Sequence, residues 1–165
     1  VIRLEALQLQ RLAASVLQQL HVLDTVRLLE VRELSDGSWL LAFEDHLPAT
    51  RFPAFEVALQ SDWTIEDAGR ELRLGLRRKL WICPLCQRRA EIRRVVDQEA
   101  VRIDCERCGR YEIESDLLEA LRVWTEDEDT EVAARLSKLA ERMRHGERLP
   151  VLTGENWAVL AEGTP

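Results

Sequence analysis

The sequence predicts an α+β fold: a small helix and antiparallel-sheet domain, a central metal-bound ribbon, and closing helices. Three observations carry this. Apolar residues recur at helical spacing from Ile2 to Leu20, alternating apolar runs flank an Asp-Gly turn, and two C-x-x-C pairs enclose a second alternating hairpin. The first element is a helix over residues 2–20. Its stripe is Ile2, Ala6, Leu9, Ala13, Val16 and Leu20, widened by Leu7, Leu12 and Leu17, with Arg3, Gln8, Arg11, Ser15 and Gln18 on the opposite face. A strand rich in Val and Leu is expected from Thr25 to Leu34, and Ser35-Asp36-Gly37-Ser38 turns it into a return strand from Ser38 to Phe43. Pro48 and Pro53 bound a loop, after which Phe55, Val57 and Leu59 alternate with Glu56, Ala58 and Gln60 as a half-buried strand.

Thr64-Ile65-Glu66-Asp67 reads as a capping box, whose side chains hold the open N–H groups of a first helical turn. The helix places Ile65, Ala68, Leu72 and Leu76 on one face and Arg70, Arg73 and Arg77 on another. Gly75 weakens it by ~1 kcal/mol relative to Ala. The cysteine segment runs from Trp81 to Ile113, and a short helix from Asp116 to Trp124 follows. Thr125-Glu126-Asp127-Glu128-Asp129-Thr130-Glu131 reads as an acidic connector. Val132, Leu136, Leu139, Ala140 and Met143 mark the next helix, closed by His145-Gly146. After Pro150, a last helix is expected from Thr153 to Ala161. The domain boundaries that follow are 1–80 for the α+β domain, 81–115 for the ribbon and 116–165 for the helical segment.

Apolar residues make up 46% of the 165, enough to bury a core. The net charge of −7 is unevenly spread: from Arg70 to Arg110 there are 12 Lys+Arg against 6 Asp+Glu. No apolar run approaches the ~20 residues of a membrane span. No stretch has the layout of a signal peptide, although the chain begins at Val1 rather than Met, which leaves a preceding segment open. A cytoplasmic protein with no membrane partner is expected.

The four cysteines form two knuckles, Cys83-Pro84-Leu85-Cys86 and Cys105-Glu106-Arg107-Cys108-Gly109, with 18 residues between them. Each C-x-x-C aims two thiolates at one point, and the separation fits a tetrahedral four-cysteine site better than two disulfides. One structural Zn²⁺ on Cys83, Cys86, Cys105 and Cys108 is the expected cofactor. The same sulfurs suit iron, which stays open as the alternative. Four thiolates leave no position for a catalytic water. Ala90, Ile92, Arg94 and Val96 alternate outward, Asp97-Gln98-Glu99 turns, Val101, Ile103 and Cys105 return, and Tyr111 and Ile113 form a third short strand. Gly109 sits where a positive φ is often needed.

The stretch from Cys83-Pro84-Leu85-Cys86 to Asp104-Cys105-Glu106-Arg107-Cys108-Gly109-Arg110-Tyr111-Glu112-Ile113 resembles the zinc ribbon of many uncharacterised bacterial proteins, which often read C-P-x-C-G and then D-C-x-R-C-G-x-Y-x-I. Several of those sit in anti-phage or mobile-element settings, so the resemblance implies a prokaryotic protein working within a larger assembly. Leu136 to Trp157 is similar to the helix and P-x-(I/L)-T segment that tend to follow. The match covers roughly the second half of the chain and departs at Gln87, where the family usually has Gly; this bears on the first turn's shape and not on the ligands. The first half is loosely similar to HicB-type antitoxins and, in its order of helix, three strands and helix, to double-stranded-RNA-binding domains. Both likenesses are of topology, with no residue motif.

Arg73, Arg77, Arg78 and Lys79 on the second helix, with Arg88, Arg89, Arg93 and Arg94 on the hairpin, are the candidate phosphate-contacting residues. The leading expectation is therefore a non-enzymatic zinc-ribbon protein that binds nucleic acid through this face. Against it stands a solvated or partner-paired face, hence a protein-assembly subunit whose zinc is purely structural. A third alternative is an enzyme with an unrecognised site in the first half. No nucleotide loop, G-x-S-x-G, H-E-x-x-H or deaminase signature is present, and no small-molecule substrate is evident. The Glu44-Asp45-His46 trio reads as exposed turn chemistry, and the five tryptophans as partly buried core.

Overall fold

Burial of one apolar helix face against a three-stranded sheet organises the first half. A computed structural model describes residues 3–48, 50–95 and 99–163; Ile2 of the first helical stripe and the turn residues Val96, Asp97 and Gln98 lie outside them. The chain is α+β and divides into two compact units, Val1–Trp81 and Ile82–Pro165.

The first unit runs α1 (Ala6–Gln19), β1 (Val26–Glu33), β2 (Trp39–Asp45), β3 (Ala54–Leu59) and α2 (Ile65–Lys79). The strands pair antiparallel in the order β1-β2-β3. α1 starts at Ala6, four residues later than expected, because the Gln8 side chain accepts the Glu5 N–H and closes the helix start there. Leu9, Ala13, Val16 and Leu17 are its buried face, whereas Leu7 is exposed and does not widen the stripe. Gly37, with φ +86°, turns β1 into β2, and Asp36 accepts the Ser38 N–H to brace the turn. Trp39, Leu41 and Phe43 of β2 and Phe55, Val57 and Leu59 of β3 point into the core. Thr64 caps α2 by accepting the Asp67 N–H, while the Asp67 carboxylate accepts the Thr64 hydroxyl. Ile65 is exposed, and Gly69 joins Ala68, Leu72 and Leu76 on the buried side. Gly75 packs so closely on β3 that a Cβ there would lie 2.9 Å from Val57 Cγ1.

The second unit is a three-stranded meander, β4 (Ala90–Arg94), β5 (Ala100–Cys105) and β6 (Gly109–Glu114), followed by α3 (Ser115–Glu126), α4 (Thr130–Arg144) and α5 (Trp157–Ala161). The acidic run from Thr125 to Glu131 is not a connector. Its first two residues end α3, Asp129 caps α4 by accepting the Glu131 and Val132 N–H groups, and Glu131 lies in the first turn, where the helix dipole favours a negative charge. α4 ends as expected. Gly146, at φ +86°, lets its own N–H reach Met143 O and the Glu147 N–H reach Arg142 O. The chain then returns to the sheet edge: Leu152, fully buried, bridges Ile113 in parallel, donating to Glu112 O and accepting from Glu114 N. The last helix is shorter than expected, because Thr153 and Asn156 exchange side-chain and backbone hydrogen bonds in the turn before Trp157. Trp124 and Trp157 stack at 5.9 Å. Among the described residues no helix is long and apolar enough to cross a membrane.

Candidate metal centre

The two knuckles meet because the β4–β5–β6 register brings them together. Ala90 pairs with Cys105, and Cys105 pairs with Gly109, so the second knuckle caps β5 and β6 beside the start of β4. Ile82 bridges Arg89, which closes the first knuckle over the same point. In that first turn the Cys83 N–H donates to Arg88 O and the Gln87 N–H to Cys83 O. Gln87 takes φ +62°, the left-handed conformation that glycine usually supplies, and its side-chain amide donates to Pro84 O. The departure from glycine therefore leaves the turn intact. Gly109 takes φ +87° at the second turn, where the Cys108 N–H points at Cys105 Sγ, 3.4 Å away.

The sulfurs of Cys83, Cys86, Cys105 and Cys108 all lie within 4.8 Å of one another, and none of the four is disulfide-bonded. Zinc–sulfur bonds of about 2.3 Å in a tetrahedron separate sulfurs by ~3.8 Å; Cys86 Sγ and Cys105 Sγ stand 3.5 Å apart. The donor set is four soft thiolates, which suits a thiophilic cation and fills its coordination shell. Burial pushes the Cys83 thiol well above its ordinary range. Cys105 is pulled down by hydrogen bonds, from Cys108 first and then from Cys83 and Cys86. Four cysteine sulfurs at this spacing could hold a metal ion.

Tyr111 supplies a support that spacing alone did not reveal. Its hydroxyl, almost wholly buried, lies 3.1 Å from Cys83 Sγ. Burial first, and the Cys83 charge second, push the phenol well above its ordinary range, and the hydroxyl and the sulfur stand within hydrogen-bond distance of each other. The sequence signal was available: in β6 the alternation that makes Tyr111 and Ile113 inward-facing places Tyr111 opposite Ile103, two positions before Cys105.

The candidate phosphate-contacting arginines fall in both units and are differently employed. In the first unit Arg73 donates to Gln19, Lys79 lies over the Phe52 ring at 4.8 Å, and Arg77, Arg78 and Lys79 occupy the last turn of α2, where cations offset the helix dipole. In the second unit Arg93 pairs with Glu91 at 3.1 Å, Arg89 is half-buried and engaged, and Arg88 and Arg94 are exposed with no ion pair among the described residues. The outer face of the ribbon is charge-balanced: Arg93–Glu91, Arg102–Glu112 and Arg110–Asp104 tile it in three pairs. The Glu44-Asp45-His46 trio is corrected here. Asp45 is buried, not exposed, because its carboxylate accepts the Leu47 N–H and the Thr50 hydroxyl and so holds the loop before Pro53; Glu44 and His46 pair at the surface. All five tryptophans are buried or half-buried. The chain matches no family model, no curated protein and no solved structure.

Proposed function

We propose that this chain is a zinc-ribbon protein in which one Zn²⁺ on Cys83, Cys86, Cys105 and Cys108 is structural, and in which the ribbon serves as a binding module without chemistry of its own. The observation that carries it is the convergence of four sulfurs within 4.8 Å, three of them buried. A closed thiolate shell leaves no site for substrate or water, and the meander has too little core of its own to hold the knuckles without metal. Elemental analysis of the reduced, purified chain should find about one zinc per chain. Finding no metal, or iron instead, would overturn the assignment.

The ligand proposed for the module is nucleic acid, contacted through Arg88 and Arg94, two exposed hairpin cations with no ion pair among the described residues, with the α2 cations as a second group. The bacterial, assembly-associated setting rests on the ribbon resemblance alone. Binding of DNA and RNA, titrated against salt, tests it: a log-log slope near −1 to −3 is expected for so few contacts, and Arg88→Glu with Arg94→Glu should abolish it. A second reading is favoured by the neutral outer face of the ribbon, whose three ion pairs suit a protein partner better than a phosphate backbone. A slope near zero, with a protein copurifying, selects that reading.

A further inference from the structure

We propose that Cys86 is the oxidation site of the metal centre, and that a peroxide converts Cys86 and Cys105 into a disulfide with release of the metal. This rests on the metal-bound reading above. The four ligands are unequally shielded. Cys83, Cys105 and Cys108 are 0%, 2% and 3% exposed, whereas Cys86 is only half-buried. Cys86 forms part of the wall of an open cleft of about 370 Å³, with Leu85, Gln87 and Arg107 on the knuckle side and Thr130 and Ala133 of α4 opposite. That space admits a peroxide, whose size is near that of a water at ~30 Å³. The ligands also differ in electron density. Cys83 Sγ lies 3.1 Å from the buried Tyr111 hydroxyl; a metal-bound Cys83 thiolate has no proton to give, so there the hydroxyl donates and draws charge from the sulfur. The most exposed cysteine and the cysteine beside the Tyr111 hydroxyl are therefore different residues of the same knuckle.

The chemistry balances with hydrogen peroxide as the oxidant. Cys86 Sγ attacks one peroxide oxygen, an S–O bond forms, the O–O bond breaks and hydroxide leaves, giving a sulfenic acid. Cys105 Sγ, 3.5 Å away, then attacks that sulfur. An S–S bond forms, the S–O bond breaks and a second hydroxide leaves. The two thiolates lose two electrons, the peroxide gains them, and both hydroxides take protons from solvent. A cation held on the four sulfurs would be left with only Cys83 and Cys108 as ligands and would be released.

The full chain, loaded with zinc and free of reductant, is treated with hydrogen peroxide. A chromophoric chelator reads metal release while peptide mass spectrometry reads the cysteines. Release should track a Cys86–Cys105 cross-linked peptide one for one. Before release, N-ethylmaleimide should mark Cys86 about tenfold faster than any other ligand, following thiolate exposure. Tyr111→Phe, which keeps the ring, should narrow that ratio by raising labelling at Cys83. First labelling at Cys83, Cys105 or Cys108, or release accompanied by Cys83–Cys86 or Cys105–Cys108 links, would overturn the proposal while leaving the metal reading standing. Absence of metal from the reduced chain would overturn the metal reading itself.

Discussion

Two residues show how much a single backbone position decides. Gly75 breaks the usual rule that alanine is better in a helix: the ~1 kcal/mol of propensity that Ala would add is opposed by a Cβ 2.9 Å from Val57 Cγ1, and overpacking against a stiff β-branched side chain costs about 1–3 kcal/mol. Gly75→Ala should therefore lower stability by roughly 1 kcal/mol in urea unfolding, and Val57→Ala in the same chain should recover part of the loss. Gln87 shows the reverse. Its left-handed φ is tolerated because the side chain remains useful, donating to Pro84 O. Gln87→Gly should leave affinity for the proposed zinc within about threefold, whereas Gln87→Val, for which φ near +60° is a genuine outlier, should weaken it by tenfold or more through ~1–2 kcal/mol of strain in the knuckle. A metal-competition titration distinguishes the two. From sequence, Gly75 was legible only as a weakness, because the strand that crowds it is distant in the chain. Asp45 was misread for a different reason: its partners, the Leu47 N–H and Thr50 hydroxyl, are close in the chain but are loop groups with no periodicity.

The elements that were legible were those whose signals are local. The Asp36-Gly37 turn, the Thr64 cap and the Gly146 stop each use a backbone preference confined to a few residues, and each stands where the residues place it. The two knuckles were legible because metal ligation imposes a spacing. Burial along amphipathic stripes was less so. Leu7 and Ile65 fit a helical period but lie at stripe margins, and nothing local says how wide a stripe the sheet will cover. The acidic run was misread because Asp129 serves as a cap, which a charge count does not distinguish from a solvated linker. Asp129→Ala should cost about 1 kcal/mol through loss of the cap on α4, seen as a lowered unfolding midpoint with an unchanged denaturant slope. The three ion pairs of the ribbon face are exposed, so Arg93→Ala and Arg110→Ala should each change stability by less than about 1 kcal/mol.

At the scale of the molecule, each unit carries its own apolar core: Leu9, Leu41, Phe43, Leu59 and Leu72 in the first, Ile103, Ile113, Leu121, Leu139 and Leu152 in the second. Only the second contains the sulfurs. Chelation of the proposed metal under reducing conditions should therefore raise amide hydrogen exchange across β4, β5 and β6 while β2 and α2 keep their protection. Loss of protection in both units at once would show that the cores unfold as one. The return of Leu152 to Ile113 was the least legible feature of the whole chain. A single parallel bridge spans too few residues to leave an alternation, and its fully buried leucine reads as an ordinary apolar residue after a proline.

That bridge sets a timetable for the protein's making. The fourth sulfur, Cys108, leaves the ribosome well ahead of Leu152, which later covers one end of the β6 edge. At ~5–20 residues per second, the interval lasts about 2–9 s. During it the nascent ribbon has all its ligands but an open strand edge, the feature that most readily pairs with the wrong neighbour. Supply of metal in that window would order the meander before its final cover arrives. With zinc as the proposed occupant, a cell short of it would meet its difficulty with this chain during synthesis, as aggregation of newly made protein, before it met it as loss of metal from the finished one.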